Sequence, residues 1–230
     1  LSPTQVMDYL ACPARYLLNR LYRLSASSDT VGERYGELAH HALEKWDYRD
    51  RAALVGNVDR FAGHSIPPDL RELLKESLAA FASSDLARTT AASDEIRREE
   101  RFGFIEEGVL VRGSIDLAAR TPDGWIVADF KTNRVAPEDV PAEAERYRIQ
   151  LGLYALALHR ARDIVPAGLA VHFLAPGVTH VFPCDRDTID GVSHTLGGVI
   201  AAMDAGDFGP KPSEACEWCP GRKVCGKGNP

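Results

Sequence analysis

Two acidic residues at the ends of adjacent strand-like segments constrain the fold most strongly. Asp116 ends one alternating apolar segment, and Asp129 directly follows a second. Between the segments lies Thr121-Pro122-Asp123-Gly124, whose turn-forming residues are typical of a β-hairpin. If the two outer turn residues pair, Asp116 stands directly opposite Asp129, and Lys131 lies on the same strand face as Asp129.

Two carboxylates that face each other across a hairpin repel, so this pattern indicates a cation between Asp116 and Asp129. A hard divalent ion with oxygen ligands is the simplest candidate, and we interpret the hairpin as a metal site. A turn over Pro122-Asp123-Gly124 with a bulge would shift the register by one residue. Both acids would still lie at one end of the hairpin.

The chain has 230 residues and is 45% hydrophobic, which is sufficient for one domain with its own core. Its formal net charge of −6 argues against binding nucleic acid through bulk positive charge. Phosphate binding through metal ions does not require a basic surface. Short basic clusters, among them Arg97, Arg98 and Arg101, are expected to be solvated unless they converge in space.

The sequence has no apolar run of about 18 residues and no secretory signal, so we expect no membrane association and a cytoplasmic location. Leu1 is not a native start residue. We therefore expect a trimmed protein or a domain of a longer chain. Because the sequence lacks a G-x4-G-K-[ST] phosphate-binding loop, any ATP-driven unwinding must come from elsewhere.

Apolar periodicity and capping residues predict helices that alternate with two groups of strands. The predicted helices cover residues 2–23 with a break at Cys12-Pro13, then 32–48, 69–82, 137–162 and 185–205. The predicted strands cover residues 95–105, 109–119, 125–131, 168–175 and 178–183. This order predicts an α/β (α+β) fold with a mixed central sheet flanked by helices.

Three cysteines near the C-terminus have the spacing C-x2-C-x5-C, at Cys216, Cys219 and Cys225. Their proline- and glycine-containing segment cannot build its own core, so we expect a metal centre to organise it. Cys12 is the natural fourth thiolate, and its ligation would join the two termini. Zinc and an iron–sulfur cluster both fit, since spacing alone does not separate them. Cys184 is expected to be a structural or free thiol.

Six segments together resemble the RecB-like branch of the PD-(D/E)XK nuclease superfamily, and specifically its iron–sulfur members. These members include the AddB-type nuclease domains and the CRISPR-associated exonucleases. In chain order the segments are Leu1-Ser2 through Cys12-Pro13, Gly36 to His40, Gly113 to Asp116, Asp129 to Thr132, Gln150 to Tyr154, and the cysteine tail. The resemblance covers nearly the whole chain and implies a restriction-endonuclease-like fold whose termini are joined by the cluster.

The resemblance also implies the roles of the site residues. The ligands of Mg²⁺ or Mn²⁺ would be His40, Asp116, Asp129 and the Phe130 carbonyl. Lys131 would orient or deprotonate the attacking water, and Gln150 and Tyr154, which share a helix face, would link the metal site to the DNA backbone. The cluster ligands carry over as Cys12, Cys216, Cys219 and Cys225, and the family prefers [4Fe–4S] over zinc.

Two neighbours of His40 leave alternatives open. His41 competes with His40 for the role of histidine ligand. Glu44, one helical turn beyond His40, is more simply explained as a solvated glutamate than as a ligand of a second ion.

We therefore predict a metal-dependent DNA nuclease, an exonuclease acting on DNA ends or single strands in recombination, repair or adaptive immunity. The alternative is a catalytically silent DNA-binding or scaffold module of a helicase–nuclease complex. The predicted partners are DNA and a helicase or other complex subunit. We expect one nuclease domain over 1–230, with 1–30 and 206–230 forming the cluster-binding part and 95–183 the catalytic core.

Overall fold

The computed structural model describes residues 1–22, 30–63, 66–219 and 221–225. The chain begins with α1 (Pro3–Ala11), α2 (Pro13–Tyr16) and a π-helical turn (Leu17–Leu21). As predicted, Ser2 and Gln5 form a reciprocal capping box, and the helix breaks before Pro13 because proline has no amide hydrogen. The predicted end of this helix at residue 23, and parts of the predicted cluster-binding segments (23–29, 220 and 226–230), lie outside the described residues.

Four helices precede the sheet, where the sequence predicted two. They are α3 (Val31–Glu44), α4 (Arg51–Ala62), α5 (Pro68–Phe81) and α6 (Asp85–Ala91). The signals missed for α4 and α6 are their N-caps, since the Asp50 and Ser84 side chains each accept a backbone amide of the first turn. The prediction that α3 continues to residue 48 is wrong, because Tyr48 adopts a left-handed conformation with φ +63°.

A five-stranded mixed sheet confirms the predicted fold class. Its strands are β1 (Glu95–Glu106), β2 (Val109–Thr121), β3 (Gly124–Lys131), β4 (Gly168–Phe173) and β5 (Val178–Pro183). They lie in sequence order, and all neighbours are antiparallel except the parallel pair of β3 and β4. A parallel pair requires a crossover, which helices supply here.

The crossover contains α7 (Val140–Ala144) and α8 (Arg148–Arg162), and α9 (Arg186–Asp204) follows the sheet. The predicted continuous helix over 137–162 is wrong, since 3-10 turns at Pro137–Asp139 and Glu145–Tyr147 divide it. In the described part of the chain, no helix is long and apolar enough to cross a membrane.

Two hydrophobic clusters cover the two faces of the sheet, and strand β2 changes face between them. Ile115 packs in the cluster formed with α1, α8 and α9, whereas Leu117 packs in the cluster formed with α3 to α6. Residues two apart on a regular strand share a face, so the alternation reverses at Asp116. On β1 it reverses in the same way between Ile96 and Phe102, close to Glu99, whose φ is +48°.

Candidate metal centre

The predicted register of the β2–β3 hairpin is confirmed. Pairing runs from Thr121 opposite Gly124 to Leu117 opposite Ala128, so that Asp116 and Asp129 are the next residues along the two strands. The described pairing stops before them, and the Asp116 Oδ2 atom accepts a hydrogen bond from the Phe130 amide at 2.9 Å. The carboxylate of Asp116 thus fills the gap where β2 and β3 separate.

The Phe130 carbonyl also points toward this gap. The carbonyl of the next residue, Lys131, accepts a hydrogen bond from the Leu174 amide just beyond β4. Because the backbone polar groups of successive strand residues point to opposite edges, the amide and carbonyl of Phe130 point toward β2. This places the predicted carbonyl ligand on the side of Asp116, while the Phe130 ring is buried in the α3–α6 cluster.

Helix α3 brings His40 to the same place. Its Nδ1 atom lies 3.4 Å from Asp116 Oδ2 and 3.8 Å from Glu99 Oε1. One donor atom from each of His40, Glu99 and Asp116 lies within 4.8 Å of the others, which is the one such group among the described residues. Glu99 is a residue that the sequence analysis missed. A signal was present, since Glu99 lies opposite Asp116 between two regular β1–β2 pairs.

Asp129 is enclosed by the remaining predicted site residues. Its side chain is 1% exposed, and Lys131 Nζ lies 2.8 Å from Oδ2. Gln150 Nε2 donates to Oδ1 at 2.6 Å, and the Tyr154 hydroxyl donates to the same oxygen at 3.3 Å. Gln150 Oε1 also accepts a hydrogen bond from Lys131 at 3.2 Å.

These contacts correct the interpretation of Gln150 and Tyr154 as a link to the DNA backbone. Both side chains are buried, and their polar atoms are directed at Asp129 and at each other. They are placed to position the carboxylate and the lysine. A further neighbour that the sequence did not reveal is Tyr147, whose ring centroid lies 4.5 Å from Lys131 Nζ.

The electrostatics of the group indicate an excess of negative charge. Burial, followed by the charge of Asp129, raises the pKa of Asp116 to about 7. Burial lowers the pKa of His40, but the hydrogen bond to Glu99 and the charges of Asp116 and Asp129 outweigh this, and the net pKa is raised. For Lys131, burial lowers the pKa and the nearby carboxylates raise it further, with a net increase.

This donor set fits a divalent cation. Carboxylate and carbonyl oxygens with one imidazole suit Mg²⁺ and, because imidazole is the softer donor, Mn²⁺. A divalent ion would also neutralise the repulsion between the two aspartates that raises the pKa of Asp116.

The two alternatives next to His40 are directed elsewhere. His41 Nδ1 lies 3.1 Å from Glu44 Oε2, and Lys45 Nζ lies 2.7 Å from Glu44 Oε1. His41 and Glu44 therefore contact each other and not Asp116, and neither belongs to the group of three donors around His40.

The cysteines lie where the two ends of the chain meet. Lys211 donates its amide to Cys12 Sγ at 3.4 Å and its ammonium to the Leu10 carbonyl at 3.1 Å. The Ser213 amide donates to Cys216 Sγ at 3.4 Å. A Cβ atom on Gly221 would lie 2.6 Å from Leu18, so the tail packs closely on the N-terminal helices.

No three cysteine sulfurs among the described residues lie within 4.8 Å of one another. In a tetrahedral zinc site with Zn–S bonds of about 2.3 Å, the sulfurs would be about 3.8 Å apart. The arrangement is therefore wider than closed zinc coordination. Burial and the neighbouring Asp185 raise the pKa of the Cys184 thiol to about 11, which keeps it protonated and unsuited to ligation.

A mixed five-stranded sheet flanked by helices, with a buried acidic pair and a lysine where two strands separate, defines a restriction-endonuclease-like α/β protein. The fold is similar to that in the crystal structure of SSO0001, with a TM-score of 0.51 and 15% identity over 98% of this chain and 85% of that chain. The family model of the PD-(D/E)XK nuclease superfamily matches residues 1–226. The chain belongs to this superfamily.

Two relatives extend the comparison, and both are named as the larger kind of protein that contains such a domain, an ATP-dependent helicase/nuclease subunit. The chain is 31% identical over 172 residues to the relative from Desulforudis audaxviator, a match that covers 66% of this chain. It is 28% identical over 141 residues to the relative from Acetivibrio thermocellus, a match that covers 54% of this chain. The matched regions make up 14% and 11% of those relatives' own lengths.

Proposed function

We propose that the chain is a Mg²⁺- or Mn²⁺-dependent deoxyribonuclease that acts as an exonuclease on DNA ends or single strands. The observation that carries this proposal is the convergence of His40, Asp116, Asp129 and Lys131 at the point where β2 and β3 separate. Membership of a nuclease superfamily supports a hydrolytic function.

In this proposal His40, Asp116, Asp129 and the Phe130 carbonyl hold the ion, with Glu99 beside them as an additional oxygen donor. The bound ion supplies charge neutralisation at the phosphate and lowers the pKa of a water molecule. The protein's part is to hold these donors in place before the substrate arrives.

Lys131 orients the attacking water or takes its proton. Its ammonium is held by Asp129, by the Gln150 amide oxygen and by the face of the Tyr147 ring, so its position is fixed on three sides. Gln150 contacts both Asp129 and Lys131 and acts as a positioning residue for the pair.

The test is cleavage of 5′- and 3′-labelled single- and double-stranded DNA by the purified chain with Mg²⁺, Mn²⁺ or a chelator. We expect Asp116→Asn and Lys131→Ala each to lower the rate by about 100-fold or more. The matched controls are Asp123→Asn, an exposed acid in the turn of the same hairpin, and Lys75→Ala, and both should cut normally.

A wild-type chain that binds DNA but cuts none of these substrates with either ion would favour the alternative, a catalytically silent scaffold module. The complete set of acidic residues and lysine favours the enzyme.

We further propose that Cys12, Cys216, Cys219 and Cys225 hold a [4Fe–4S] cluster that joins the termini. Two features support this: the amide hydrogen bonds to the Cys12 and Cys216 sulfurs, which stabilise thiolates, and a sulfur spacing wider than zinc requires. A cubane cluster binds each cysteine through a different iron atom, so it spaces the sulfurs more widely than one zinc ion does.

Anaerobically purified protein should be brown, absorb visible light and contain iron and sulfide in equal amounts. Cys216→Ser should lose this absorbance, whereas Cys184→Ser should retain it. Colourless protein that contains stoichiometric zinc would contradict the cluster.

The relatives, whose names describe parts of helicase/nuclease complexes, support a proposal about partners. We propose that this nuclease works with a helicase on DNA in the cytoplasm, in recombination, repair or adaptive immunity, as one domain over residues 1–230. Co-purification of the tagged chain with an ATP-dependent helicase from its own source would test this. Failure of cross-linking to recover any helicase would count against it.

A further inference from the structure

The β1–β2 hairpin continues beyond the metal centre with one face covered and one face open. Phe102 and Phe104 on the covered face pack against the α1, α8 and α9 cluster. The opposite face carries mostly exposed residues in three cross-strand pairs, and we call it the hairpin face. Its members are Arg101, Gly103, Ile105, Leu110, Arg112 and Ser114.

The hairpin face begins at the metal centre. Ser114, its innermost residue, donates its hydroxyl to Glu99 Oε2 at 2.7 Å. Arg101 is paired with Ser114 across the strands, and its charge helps to lower the pKa of Glu99. The surface is therefore continuous with the His40, Glu99 and Asp116 group.

The charges on this face suit an anionic ligand. Arg101 and Arg112 are exposed, and within the described part of the chain neither forms an ion pair with a carboxylate at 4.0 Å or less. Most other arginines near the sheet are paired, including Arg97 with Glu95 and Arg160 with Glu106. Two unpaired cations on an acidic chain with a net charge of −6 are complementary to phosphates.

The far end of the hairpin face is apolar. Ile105 and Leu110 are direct cross-strand partners and are 64% and 49% exposed. Inserted aliphatic side chains such as these contact base faces in nucleic-acid complexes. Gly103, which pairs with Arg112, leaves the surface between the cationic and apolar parts flat.

The dimensions fit one strand of nucleic acid. The six residues from Asp116 to Leu110 span about 20 Å, which corresponds to about six stacked nucleotides. Two β-strands are about 5 Å apart, so the face is too narrow to support a duplex across its full width.

We propose that the hairpin face is the track along which a single strand of DNA reaches the metal centre, with Arg101 and Arg112 on phosphates and Ile105 and Leu110 against bases. This inference rests on the proposed nuclease function and names the element that binds the substrate outside the catalytic group.

The test is binding of a fluorescein-labelled single-stranded oligothymidylate of about 20 nucleotides, measured by anisotropy at several salt concentrations. All variants carry Asp116→Asn to prevent cleavage. Arg101→Gln/Arg112→Gln should bind about tenfold more weakly or worse at 0.1 M salt, with a salt slope smaller by about 1.4. The control Arg88→Gln/Arg120→Gln removes two exposed arginines elsewhere, one of them on β2, and should bind like its parent.

A second pair of variants separates the apolar contacts from the charges. Ile105→Ser/Leu110→Ser should weaken binding and leave the salt slope unchanged, because no phosphate contact is lost. Since all four side chains are exposed, thermal melts of every variant should match the parent. Equal affinities of the arginine variant and its control, or tighter binding of duplex than of single strand, would overturn the proposal.

Cleavage by the wild-type chain is measured separately, so the two failures are distinguishable. Normal metal-dependent cleavage with hairpin variants that bind like the control removes the hairpin track and leaves the nuclease. Binding that depends on Arg101 and Arg112 in a wild-type chain that never cuts DNA removes the nuclease and leaves the track. A wild-type chain that neither binds nor cuts DNA overturns both.

Discussion

At the scale of single residues, Asp116 shows how a functional group is held at a cost to stability. It is nearly enclosed beside Asp129, and burial together with that neighbouring charge raises its pKa to about 7. An unfolded aspartate ionises near pH 4. The unfolded state therefore releases its proton first as pH rises, and the free energy of unfolding falls between about pH 4 and pH 7.

We expect Asp116→Asn to stabilise the metal-free protein at pH 8 by about 1–4 kcal/mol, because the neutral amide removes the cost of ionisation. The melting temperature in the presence of a chelator should rise by several degrees. Mn²⁺ should then stabilise the wild type and have little effect on the variant.

Asp123→Asn, exposed in the turn, is the control and should change neither melting temperature. A less stable Asp116→Asn protein in chelator at pH 8 would contradict the assignment of electrostatic cost to this carboxylate.

The sequence revealed Asp116, Asp129 and Lys131 because hairpin register and strand periodicity depend on neighbouring residues. Glu99 and Tyr147 were missed for different reasons. Glu99 reaches the site where two strands reverse their alternation at the same level, and no local pattern marks that reversal. Tyr147 lies in a 3-10 turn that sequence periodicity had assigned to a continuous helix.

At the scale of elements, the packing of α8 on α9 fixes the position of Gln150 and Tyr154. Gly152 lies between them in α8, and a Cβ atom there would be 2.5 Å from Val192 Cγ2 on α9. The two helices approach this closely because Gly152 has no side chain. The contact holds the face of α8 that presents Gln150 to Asp129.

We expect Gly152→Ala to destabilise the protein by about 1–3 kcal/mol, because the methyl group overpacks the contact with Val192. Val192→Ala in the same chain should recover part of this loss by making room. Chemical denaturation of the two single variants and the double variant measures the coupling.

Gly191→Ala is a suitable control, since a Cβ atom on that α9 glycine would have nothing within 4 Å. Additive effects of the Gly152 and Val192 substitutions would show that the helices do not meet as described.

Strand elements were predicted more accurately than helices. The hairpin turns fixed the ends of β2 to β5 within a few residues, because turn chemistry is local. Helices α4 and α6 were missed, and the helix over 137–162 was predicted as one element. Their limits depend on caps and on tertiary packing more than on apolar periodicity.

At the scale of the whole molecule, His172 links pH to stability. It lies on β4, fully buried against Phe81 and Phe130, with Nδ1 2.8 Å from the Thr179 hydroxyl. Its Nε2 atom has no hydrogen-bond partner among the described residues. Burial lowers the pKa of His172 to about 4, so the folded protein holds the imidazole neutral.

An unfolded histidine takes up a proton near pH 6.5, whereas folded His172 does so only near pH 4. The free energy of unfolding therefore falls as pH drops from about 6.5 to 4, by up to about 3 kcal/mol from this group. This dependence is opposite to that of Asp116, and in the wild type the two partly cancel.

His172→Gln should reduce the loss of stability between pH 7 and pH 5, measured by urea denaturation in the Asp116→Asn background to remove the opposing effect. His194→Gln, at an exposed position on α9, should leave the loss unchanged. An equal loss in His172→Gln and its parent would show that another group controls the acid limb.

The sequence by itself determined the hairpin register, the strand order and the adjacency of Asp116, Asp129 and Lys131, because turns, alternation and capping act between residues close in the chain. Tertiary structure alone decided that His40 and Glu99 join them, that Gln150 and Tyr154 hold Asp129 from within the core, and that the β1–β2 hairpin leaves one face open. These depend on how helices α3 and α8 pack on opposite faces of a sheet whose strands change face at the site. Such packing is set by long-range burial, which no local pattern encodes.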